Sequence, residues 1–488
     1  MGMIKQAPVA RIALLVALTL TAAIGPLPAS AQEPVPVIED AELIFTQGVE
    51  AFEAGDFGMA FRRFRLLTDT YELNRKTTAS LLMAAKALYR DGRYEDAMEL
   101  TETLEETYPT SGYVDEAREL RSLAEAQRER AEAGDLVSEI GIVLPLQDEH
   151  ATLTQALFTG VRIAVDEHNR LNPERPVRMV FRDTEADPAQ ASSAVADLAG
   201  SGVDAMIGPL YSGEAMAAAE AAEQSETVLI APLANDEAVS EGREFVFQAN
   251  PTITTRGRLM ARFATRGLLL DNFGIIAERD RDQISERMAE GFLEEAMLNG
   301  EEVHFYTLLE SPGDWSRLAE IVGADTLRRA RAVYMPIAGG ESIARIDGAL
   351  SSLDKMGMSN QIRVLGNTEW HDAPNASRAS RYETTYTSDF HIEEDDASVS
   401  AFRERFENIV GDVPDPSTTI GRLAFTGYDV ARFLIPLATD FGDDSLVERI
   451  RGAGTYQGLG IRVNFSEGNV NDALYYFRYQ DGGLRLLR

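Results

Sequence analysis

The sequence predicts a two-lobed α/β protein, with parallel sheets flanked by helices, preceded by an all-α module. Three observations support this prediction. Residues 40–133 show almost no β-strand pattern and instead show helices in pairs. From Ser138 onward, short apolar runs alternate with helical segments, which is the pattern of parallel sheets with right-handed crossovers. The alternation occurs as two series, and this predicts two lobes of similar build with a cleft between them.

Residues 1–31 have the three parts of a cleaved secretory signal peptide. Basic residues precede the apolar run Ile12–Ile24, and the segment ends in Ala29-Ser30-Ala31 after helix-breaking residues. The apolar run, about 13 residues long, is too short to span a bilayer comfortably as a helix. We therefore predict cleavage before Gln32, a linker over residues 32–39 and a periplasmic or secreted location. An uncleaved anchor is the alternative. Since no later run approaches about 18 apolar residues, no membrane insertion is expected after cleavage.

The helical module, predicted over residues 40–135, contains a short repeat. Gly55-Asp56-Phe57 and Gly92-Arg93-Tyr94 align at an offset of 37 residues, as do Ala60 and Ala97. This resembles the tetratricopeptide repeat, whose period is about 34 residues. Two copies and one further helix are fewer than the three repeats usually needed for stability, so we expect the module to lean on the next domain or on a partner. Its role is either protein docking, which we favour, or that of a helical spacer.

The α/β part is predicted over residues 138–488. The first series of strands lies in the apolar runs 139–146, 177–183, 204–209 and 228–232, and the second series lies in the runs 273–277, 303–308, 332–336 and 362–366. From these two series we predict a first lobe over residues 138–250 and 380–450, and a second lobe over residues 251–379 and 451–488.

Composition excludes several classes of protein. The chain has no cysteine, which excludes disulfides, thiolate metal sites, a cysteine nucleophile and a thioether-linked lipid anchor. The net charge is −33, and this excess of carboxylates disfavours binding to nucleic-acid phosphates and to anionic membrane surfaces. We therefore expect no nucleic-acid partner.

The sequence contains no strong catalytic or metal-binding pattern. The histidines lack the short spacing of metal ligands, at His150, His168, His304, His371 and His391. Neither a Gly-x-Ser-x-Gly elbow nor a phosphate-binding glycine loop occurs. The acidic run Glu393–Asp396 lacks the glycine and the spacing of a calcium loop, so we interpret it as a solvated face. These observations predict a protein that is not an enzyme, with no cofactor and no metal. An envelope hydrolase is the remaining alternative.

Polar loops follow strands of the first series. Gly208-Pro-Leu-Tyr-Ser-Gly213 and Ala231-Pro-Leu-Ala-Asn235 combine Gly or Pro with hydroxyl or amide side chains, and Gln147–Thr152 is a third such loop. In an open parallel sheet, ligands bind beyond the carboxyl ends of the strands. Together, the first two loops could present backbone N–H groups and the Ser212 hydroxyl to a carboxylate, as helix N-termini do. Taken singly, Ser212 and Asn235 could instead cap helices.

The order of these motifs resembles the type I periplasmic-binding-protein family, and in particular its leucine/branched-chain amino-acid branch. The resemblance rests on Asp183–Pro188, Val203–Ser212 and Val228–Asn235, followed by Phe425–Arg432 and Gly460–Phe465. It covers the whole α/β part. It implies two hinged lobes that close on a substrate held between them. Under this resemblance, the chain would be an ABC-transporter substrate-binding protein for amino acids.

The resemblance implies ligand-binding residues in the first lobe. Ser212 matches the family's serine. Leu233, Ala234 and Asn235 match the segment that holds the amino-acid head group, with Asn235 where a threonine is usual. Tyr211 either lines the cleft or belongs to the core.

In the second lobe, the resemblance implies an acidic residue that meets the α-ammonium group of an amino acid. Glu369 matches this acid, or Thr368 takes its position if the register shifts by one residue. Trp370 either lines the cleft or belongs to the core. The family also supplies an aromatic residue after the first strand of this lobe, whereas Glu278–Gln283 contains none.

The combination of modules also resembles penicillin-binding-protein activators, which join tetratricopeptide-like helices to a type I binding-protein domain in the bacterial envelope. Leu365–Asp372 is similar to a strand-to-loop segment of theirs. This second resemblance implies an envelope sensor or adaptor that holds an amino acid or peptide-like ligand and contacts a cell-wall synthase through residues 40–133. Those activators are usually lipid-anchored through a cysteine, which this chain lacks. Under the transporter alternative, the protein partner is a permease.

Overall fold

The computed structural model describes residues 36–54, 56–132, 137–146, 150–440 and 444–487. The predicted signal peptide, residues 1–31, lies outside these described residues. In the described ranges, no helix combines the length and the apolar character that crossing a bilayer requires.

An all-α module comes first, as predicted. Its helices are α1 (Glu39–Glu53), α2 (Phe57–Thr70), α3 (Thr77–Arg90), α4 (Tyr94–Thr107) and α5 (Val114–Glu132). The starts of α2 and α4, at Phe57 and Tyr94, fall at the predicted offset. The helices approach closely at small residues: a Cβ placed on Gly48 in α1 would lie 2.6 Å from the ring of Phe64 in α2. The repeat therefore reflects the packing of antiparallel helix pairs.

The α/β part begins with a parallel sheet that forms the first lobe. Its elements are β1 (Ser138–Leu144), α6 (Ala151–Leu171), β2 (Val177–Asp183), α7 (Pro188–Gly200), β3 (Ala205–Ile207), α8 (Ser212–Gln224), β4 (Val228–Ala231) and β5 (Val246–Gln248). The strands run parallel in the order β2-β1-β3-β4-β5. Strands β1, β3 and β4 are buried along their whole length because helices cover both faces of the sheet.

The chain then builds a second lobe. Its elements are α9 (Ile253–Arg262), β6 (Phe273–Glu278), α10 (Ile284–Leu298), β7 (Val303–Leu309), α11 (Leu318–Ile321), α12 (Ala324–Leu327), β8 (Ala332–Tyr334), α13 (Ser342–Lys355), β9 (Arg363–Gly366), α14 (Ala376–Ser380) and β10 (Thr385–Ser388). Strands β6 to β10 pair in parallel. The carboxyl ends of these strands therefore share one edge of the sheet, as they do in the first lobe.

The last part of the chain returns to the first lobe and then completes the second. The returning elements are α15 (Ala397–Val410), α16 (Thr419–Ala438), α17 (Leu446–Gly452) and the hairpin β11 (Tyr456–Gln457) and β12 (Arg462–Val463), followed by β13 (Tyr475–Gln480) and β14 (Gly483–Leu487). The second sheet has the order β14-β13-β10-β9-β8-β6-β7, with β13 and β14 antiparallel at its edge. Helix α16 packs on α6 so closely that a Cβ on Gly160 would lie 2.0 Å from the Ala424 carbonyl oxygen.

The lobe boundaries differ from the predicted ones at two places. Strand β10 pairs with β9 and β13, so the chain stays in the second lobe through Ser388 and does not leave it near residue 380. Ile461 and Phe465 pack in the core of the first lobe, so the chain re-enters the second lobe only at β13 and not near residue 451. At both places the chain passes from one lobe to the other near short strands. The amino-acid composition does not change there, so the sequence does not mark the boundary.

The helical module sits on the amino-terminal edge of the first sheet, opposite the cleft. Arg90 and Lys86 of α3 pair with Glu226, which directly precedes β4, with N–O distances of 2.5 and 3.5 Å. The Gln127 amide donates to the carbonyl of Gly202, just before β3, at 3.4 Å. Burial opposes ionisation of Glu226, but Arg90 and Lys86 outweigh it and lower the pKa of the carboxyl. The module therefore leans on the first lobe, as its small number of repeats predicts.

We expect Glu226→Gln to destabilise the protein by about 1–2 kcal/mol, because it removes the carboxylate paired with Arg90 and one of the two carboxylates paired with Lys86. Chemical denaturation and limited proteolysis would measure this, and cleavage should become faster within the helical module. Glu220→Gln, an exposed change on α8, the helix that precedes Glu226, is the matched control. Equal stability of the two variants would show that Glu226 does not hold the module.

Candidate functional site

The loop after β3 brings Ser212 to the cleft edge of the first lobe. Gly208 has φ of +120°, and a Cβ there would lie 2.0 Å from the Val143 carbonyl oxygen, so only glycine fits this close approach. Helix α8 then begins at Ser212. The Ser212 hydroxyl accepts a hydrogen bond from the backbone N–H of Asn235 at 3.3 Å. The two polar loops identified in the sequence are therefore neighbours in space.

The loop Leu233–Asn235 is held by side chains from the strand that follows it. Asn250 donates to the Leu233 carbonyl at 2.8 Å, and the buried Gln248 donates to the Ala234 carbonyl at 2.9 Å. The Ala234 side chain is itself buried, whereas Leu233 and Asn235 are half-buried. Hydrogen bonds therefore fix the backbone of this loop, and its two outer side chains, Leu233 and Asn235, remain partly exposed.

Tyr211 lies at the rim of the first lobe. It is 37% exposed, and its hydroxyl lies 3.3 Å from Nδ1 of His150, at the start of α6. The rest of the third predicted loop, residues 147–149, lies outside the described residues. Tyr211 is thus a rim residue and not part of the core.

In the second lobe, the segment after β9 contains both a core residue and partly exposed residues. Trp370 is fully buried, donates its indole N–H to the Met335 carbonyl at 2.8 Å and packs against Gly366, where a Cβ would lie 2.2 Å from its ring. Trp370 is therefore a core residue. Thr368 and Glu369 are half-buried, and the Thr368 hydroxyl donates to the Thr387 carbonyl at 3.2 Å.

Glu369 is a partly desolvated carboxyl group. Its Oε2 accepts a hydrogen bond from the side chain of Asn367. Burial raises the pKa of Glu369, and the neighbouring Asp389 adds to the rise, while hydrogen bonds and Arg256 oppose it in part. A cation placed beside Glu369 would favour its ionised form.

The chain crosses between the lobes at a cluster of charged and polar side chains that we call the hinge cluster: Asn250, Arg256, Asp389 and Arg422. Asp389 accepts from Arg256 of α9 at 2.8 Å and from Arg422 of α16 at 3.0 Å, so it holds one cation from each lobe. Arg256 also donates to Asn250 at 2.7 Å. Since Asn250 donates to Leu233, a chain of hydrogen bonds runs from the hinge cluster to the candidate ligand loop.

A cavity of about 180 Å³ lies beside the hinge cluster. Its lining includes Leu233, Asn250, Asp389 and Arg422. Burial opposes ionisation of Asp389, but the two guanidinium groups outweigh it and lower its pKa to about 2. An ionised carboxylate and its paired guanidinium groups therefore lie at this cavity, and Leu233 links its lining to the candidate ligand loop.

A buried ion pair stands where the resemblance implies an aromatic residue. Glu278, 1% exposed at the end of β6, pairs with Arg345 and accepts from the Trp315 indole at 2.7 Å and from the Ala338 N–H at 3.0 Å. This network ties together the loops after β6 and β8. The following residues of the segment, Arg279–Gln283, lie mostly at the surface.

A second contact joins the lobes next to Asn235. Arg287 of α10 pairs with Glu237, and its Nη1 lies 3.9 Å from Asp236. Glu237 also accepts from the backbone N–H of Thr254 at 3.0 Å. The candidate ligand loop of the first lobe is thus tied to the second lobe on both of its sides.

Sequence reasoning found the polar strand-end loops and missed the hinge cluster. Asn250 and Asp389 also follow strands, β5 and β10, so the rule that selected Ser212 could have selected them. Arg256 and Arg422 lie inside helices and carry no comparable signal. Within the described part of the chain, no three acidic or histidine side chains are placed to hold a metal ion.

Comparison with known proteins shows the family of the α/β part and a similarity for the helical part. Residues 138–483 match the family described as periplasmic binding protein. Residues 39–158 match a family described as outer membrane lipoprotein. No curated protein resembles the chain closely enough to count as a match.

Solved structures share the fold of the α/β part. A branched-chain amino acid ABC transporter protein from Rhodospirillum rubrum is 18% identical, with a TM-score of 0.55 over 72% of this chain and 100% of that chain. A branched-chain amino acid ABC transporter periplasmic ligand-binding protein from Burkholderia xenovorans is 14% identical, with a TM-score of 0.52 over 72% of this chain and 94% of that chain. Together with the family match, these structures confirm the predicted type I periplasmic-binding-protein fold.

We expect Asp389→Asn to destabilise the protein by about 2 kcal/mol near neutral pH. The folded pKa of Asp389, about 2, lies below its ordinary value of 3.8, so its stabilisation is full above pH 4 and is lost as the pH falls towards 2. Urea unfolding at several pH values should therefore show a difference from the parent protein that shrinks in acid. Asp395→Asn, an exposed change nearby, is the control. A difference that is independent of pH would contradict the assignment.

Proposed function

Since the chain belongs to the periplasmic binding protein family, we propose that it binds a small zwitterionic solute, such as an amino acid, between its lobes and delivers it to a membrane permease. The observation that carries this proposal is the hydrogen bond from the Asn235 N–H to the Ser212 hydroxyl at the start of α8. The second lobe adds the partly buried acid Glu369. Binding of this kind involves no covalent chemistry. The names of structurally similar proteins, which are ABC-transporter binding proteins for branched-chain amino acids, support the same class of solute.

The first lobe supplies groups suited to a carboxylate. The N-terminus of α8 offers backbone N–H groups and a partial positive charge, and Ser212 adds a hydroxyl that can donate. The fixed backbone of Leu233–Asn235 limits the reorganisation needed when a ligand binds. A carboxylate that is transferred from water into the cleft loses its hydration, so it needs hydrogen-bond donors such as these to replace it.

The second lobe supplies an acid suited to an ammonium group. In the free protein, burial raises the pKa of Glu369, so part of its charge is lost at a higher pH than for an ordinary glutamate. An ammonium group would stabilise the ionised form. Binding should therefore weaken as the pH falls through the titration of Glu369.

We expect Ser212→Ala and Glu369→Gln each to weaken amino-acid binding at least tenfold, because each removes a hydrogen-bonding group for a charged part of the ligand. Isothermal titration calorimetry with apolar, polar and charged amino acids would measure the affinity at pH 7 and pH 5. The parent should bind more weakly at pH 5, and this pH dependence should be lost in Glu369→Gln.

The matched controls are Ser398→Ala and Glu404→Gln, two exposed changes on α15. They should bind as the parent does. Absence of heat with every amino acid, or unchanged affinity in both cleft variants, would rule out the proposed cleft.

A second candidate function is that of an envelope adaptor, for example an activator of a cell-wall synthase. The observation that favours it is the surface left free by the helical module. Helix α3 faces the first lobe, while α2 exposes Met59, Arg62 and Leu66 along one side, with Leu66 44% exposed. A mixed basic and apolar stripe on a strongly acidic chain is suited to an acidic partner.

We expect a purified cell-wall synthase to bind the full chain if the adaptor function is correct, and Arg62→Glu with Leu66→Asp to weaken that binding at least tenfold. Surface-based binding measurements with the purified synthase would test this. Arg328→Glu, an exposed change in the second lobe, is the control and should bind as the parent does. Failure of the parent chain to bind the synthase would remove this candidate and leave the transporter function untouched.

A further inference from the structure

A groove of about 350 Å³ lies beside the crossovers, away from the ligand loops. We call it the hinge-side groove, and its lining includes His391, Glu393, Asp396, Val399, Gln457, Leu459, Arg462, Tyr475 and Leu486. We propose that the hinge-side groove is a second small-molecule site, for an α-amino acid with an apolar side chain. Its volume lies within the range of small-molecule pockets, about 300–1,000 Å³.

Arg462 provides the group that would bind a carboxylate. Its guanidinium lies over the ring of Tyr475, 4.6 Å from the centroid, and its Nε donates to the side chain of Gln457 at 2.6 Å. Gln457 in turn donates to the Tyr475 hydroxyl at 2.8 Å. These contacts use Nε and one face of the guanidinium, and they leave the terminal N–H groups as the donors that would serve a carboxylate.

Glu393 and Asp396 provide the groups that would bind an ammonium. Asp396 accepts from the backbone N–H of Ser398 at 2.7 Å as the cap of α15, so its carboxylate is held in place. The backbone N–H of Asp396 donates to the Glu393 carbonyl at 2.9 Å, which closes the turn that carries both acids. Carboxylates and a guanidinium in one groove match the two charges of a zwitterion.

His391 adds no positive charge to the groove at neutral pH. Its ring lies edge-on to Tyr475 and Phe477, with centroids 5.4 and 5.1 Å apart. Burial lowers the pKa of His391, with Glu393 opposing the change and His371 and Arg462 adding to it. The charged lining of the groove near pH 7 is therefore Arg462 with the two acids.

The apolar part of the lining comes from both lobes. Val399 and Leu459 belong to the core of the first lobe or pack against it, whereas Leu486 lies on β14 at the edge of the second sheet. An apolar side chain would lie among these three residues. Because residues of both lobes form the groove, a ligand there would bind more tightly at one angle between the lobes than at another. Binding in the groove would therefore be coupled to closure of the cleft.

The test is calorimetry on the full chain with L-leucine, L-valine and L-phenylalanine, first in a variant that carries both Ser212→Ala and Glu369→Gln. We expect this cleft variant to keep one binding site for at least one of the three amino acids. Adding Arg462→Gln or Glu393→Gln should weaken that binding at least tenfold, since each removes a charge-assisted hydrogen bond. Glu394→Gln, the neighbouring exposed acid outside the groove, should leave it unchanged.

Two derivatives of leucine sharpen the test. Leucinamide lacks the carboxylate and N-acetyl-leucine lacks the ammonium group, so neither should bind the cleft variant as tightly as leucine. Thermal melts would show that the Arg462 and Glu393 variants are folded.

The outcomes separate this site from the proposed function. If the cleft variant binds none of the three amino acids, or binds them equally with Arg462→Gln and Glu393→Gln added, the hinge-side groove is not a site. If the parent binds and only the groove variants lose binding, the groove is the site and the proposed cleft function fails. Binding of both derivatives as tightly as leucine would overturn the assignment to a zwitterion.

Discussion

The contact between the two lobes at the hinge depends on the carboxylate of Asp389. It pairs with Arg256 of the second lobe and Arg422 of the first, at the point where the chain passes between them. Through Arg256 and Asn250 the same hydrogen-bonded unit reaches the carbonyl of Leu233. Partly desolvated charges are stable only when each is well paired, so any change in the angle between the lobes would be linked through these side chains to the position of the candidate ligand loop.

Much of the fold could be predicted from the sequence because it depends on local patterns of turn residues and apolar residues. The helical repeat showed in a turn that recurs before α2 and α4, and the parallel sheets showed in buried apolar runs such as β1 and β4. Ser212 and Asn235 could be placed near each other because the carboxyl ends of adjacent parallel strands share an edge. Predictions that rest on periodicity and strand direction need no knowledge of distant contacts.

The remainder depends on contacts between residues far apart in the chain. Arg90 and Glu226 are separated by 136 positions, and Arg256 and Asp389 by 133, so no window of sequence indicates that they pair. The sequence pattern alone allows Trp370 to line the cleft or to belong to the core. Trp370 is a core residue because Gly366 leaves space for its ring. The predicted second-lobe boundary near residue 380 failed to include β10 for a similar reason, since a short strand is recognised by its partners β9 and β13.

The seating of the helical module on Glu226 and Gly202 has a mechanical consequence. The module and the first lobe are held together as one body, so closure of the cleft under the proposed function would move the second lobe relative to both. A partner attached only to the module would then experience no relative movement. A partner that distinguishes the open from the closed form would have to contact the second lobe as well.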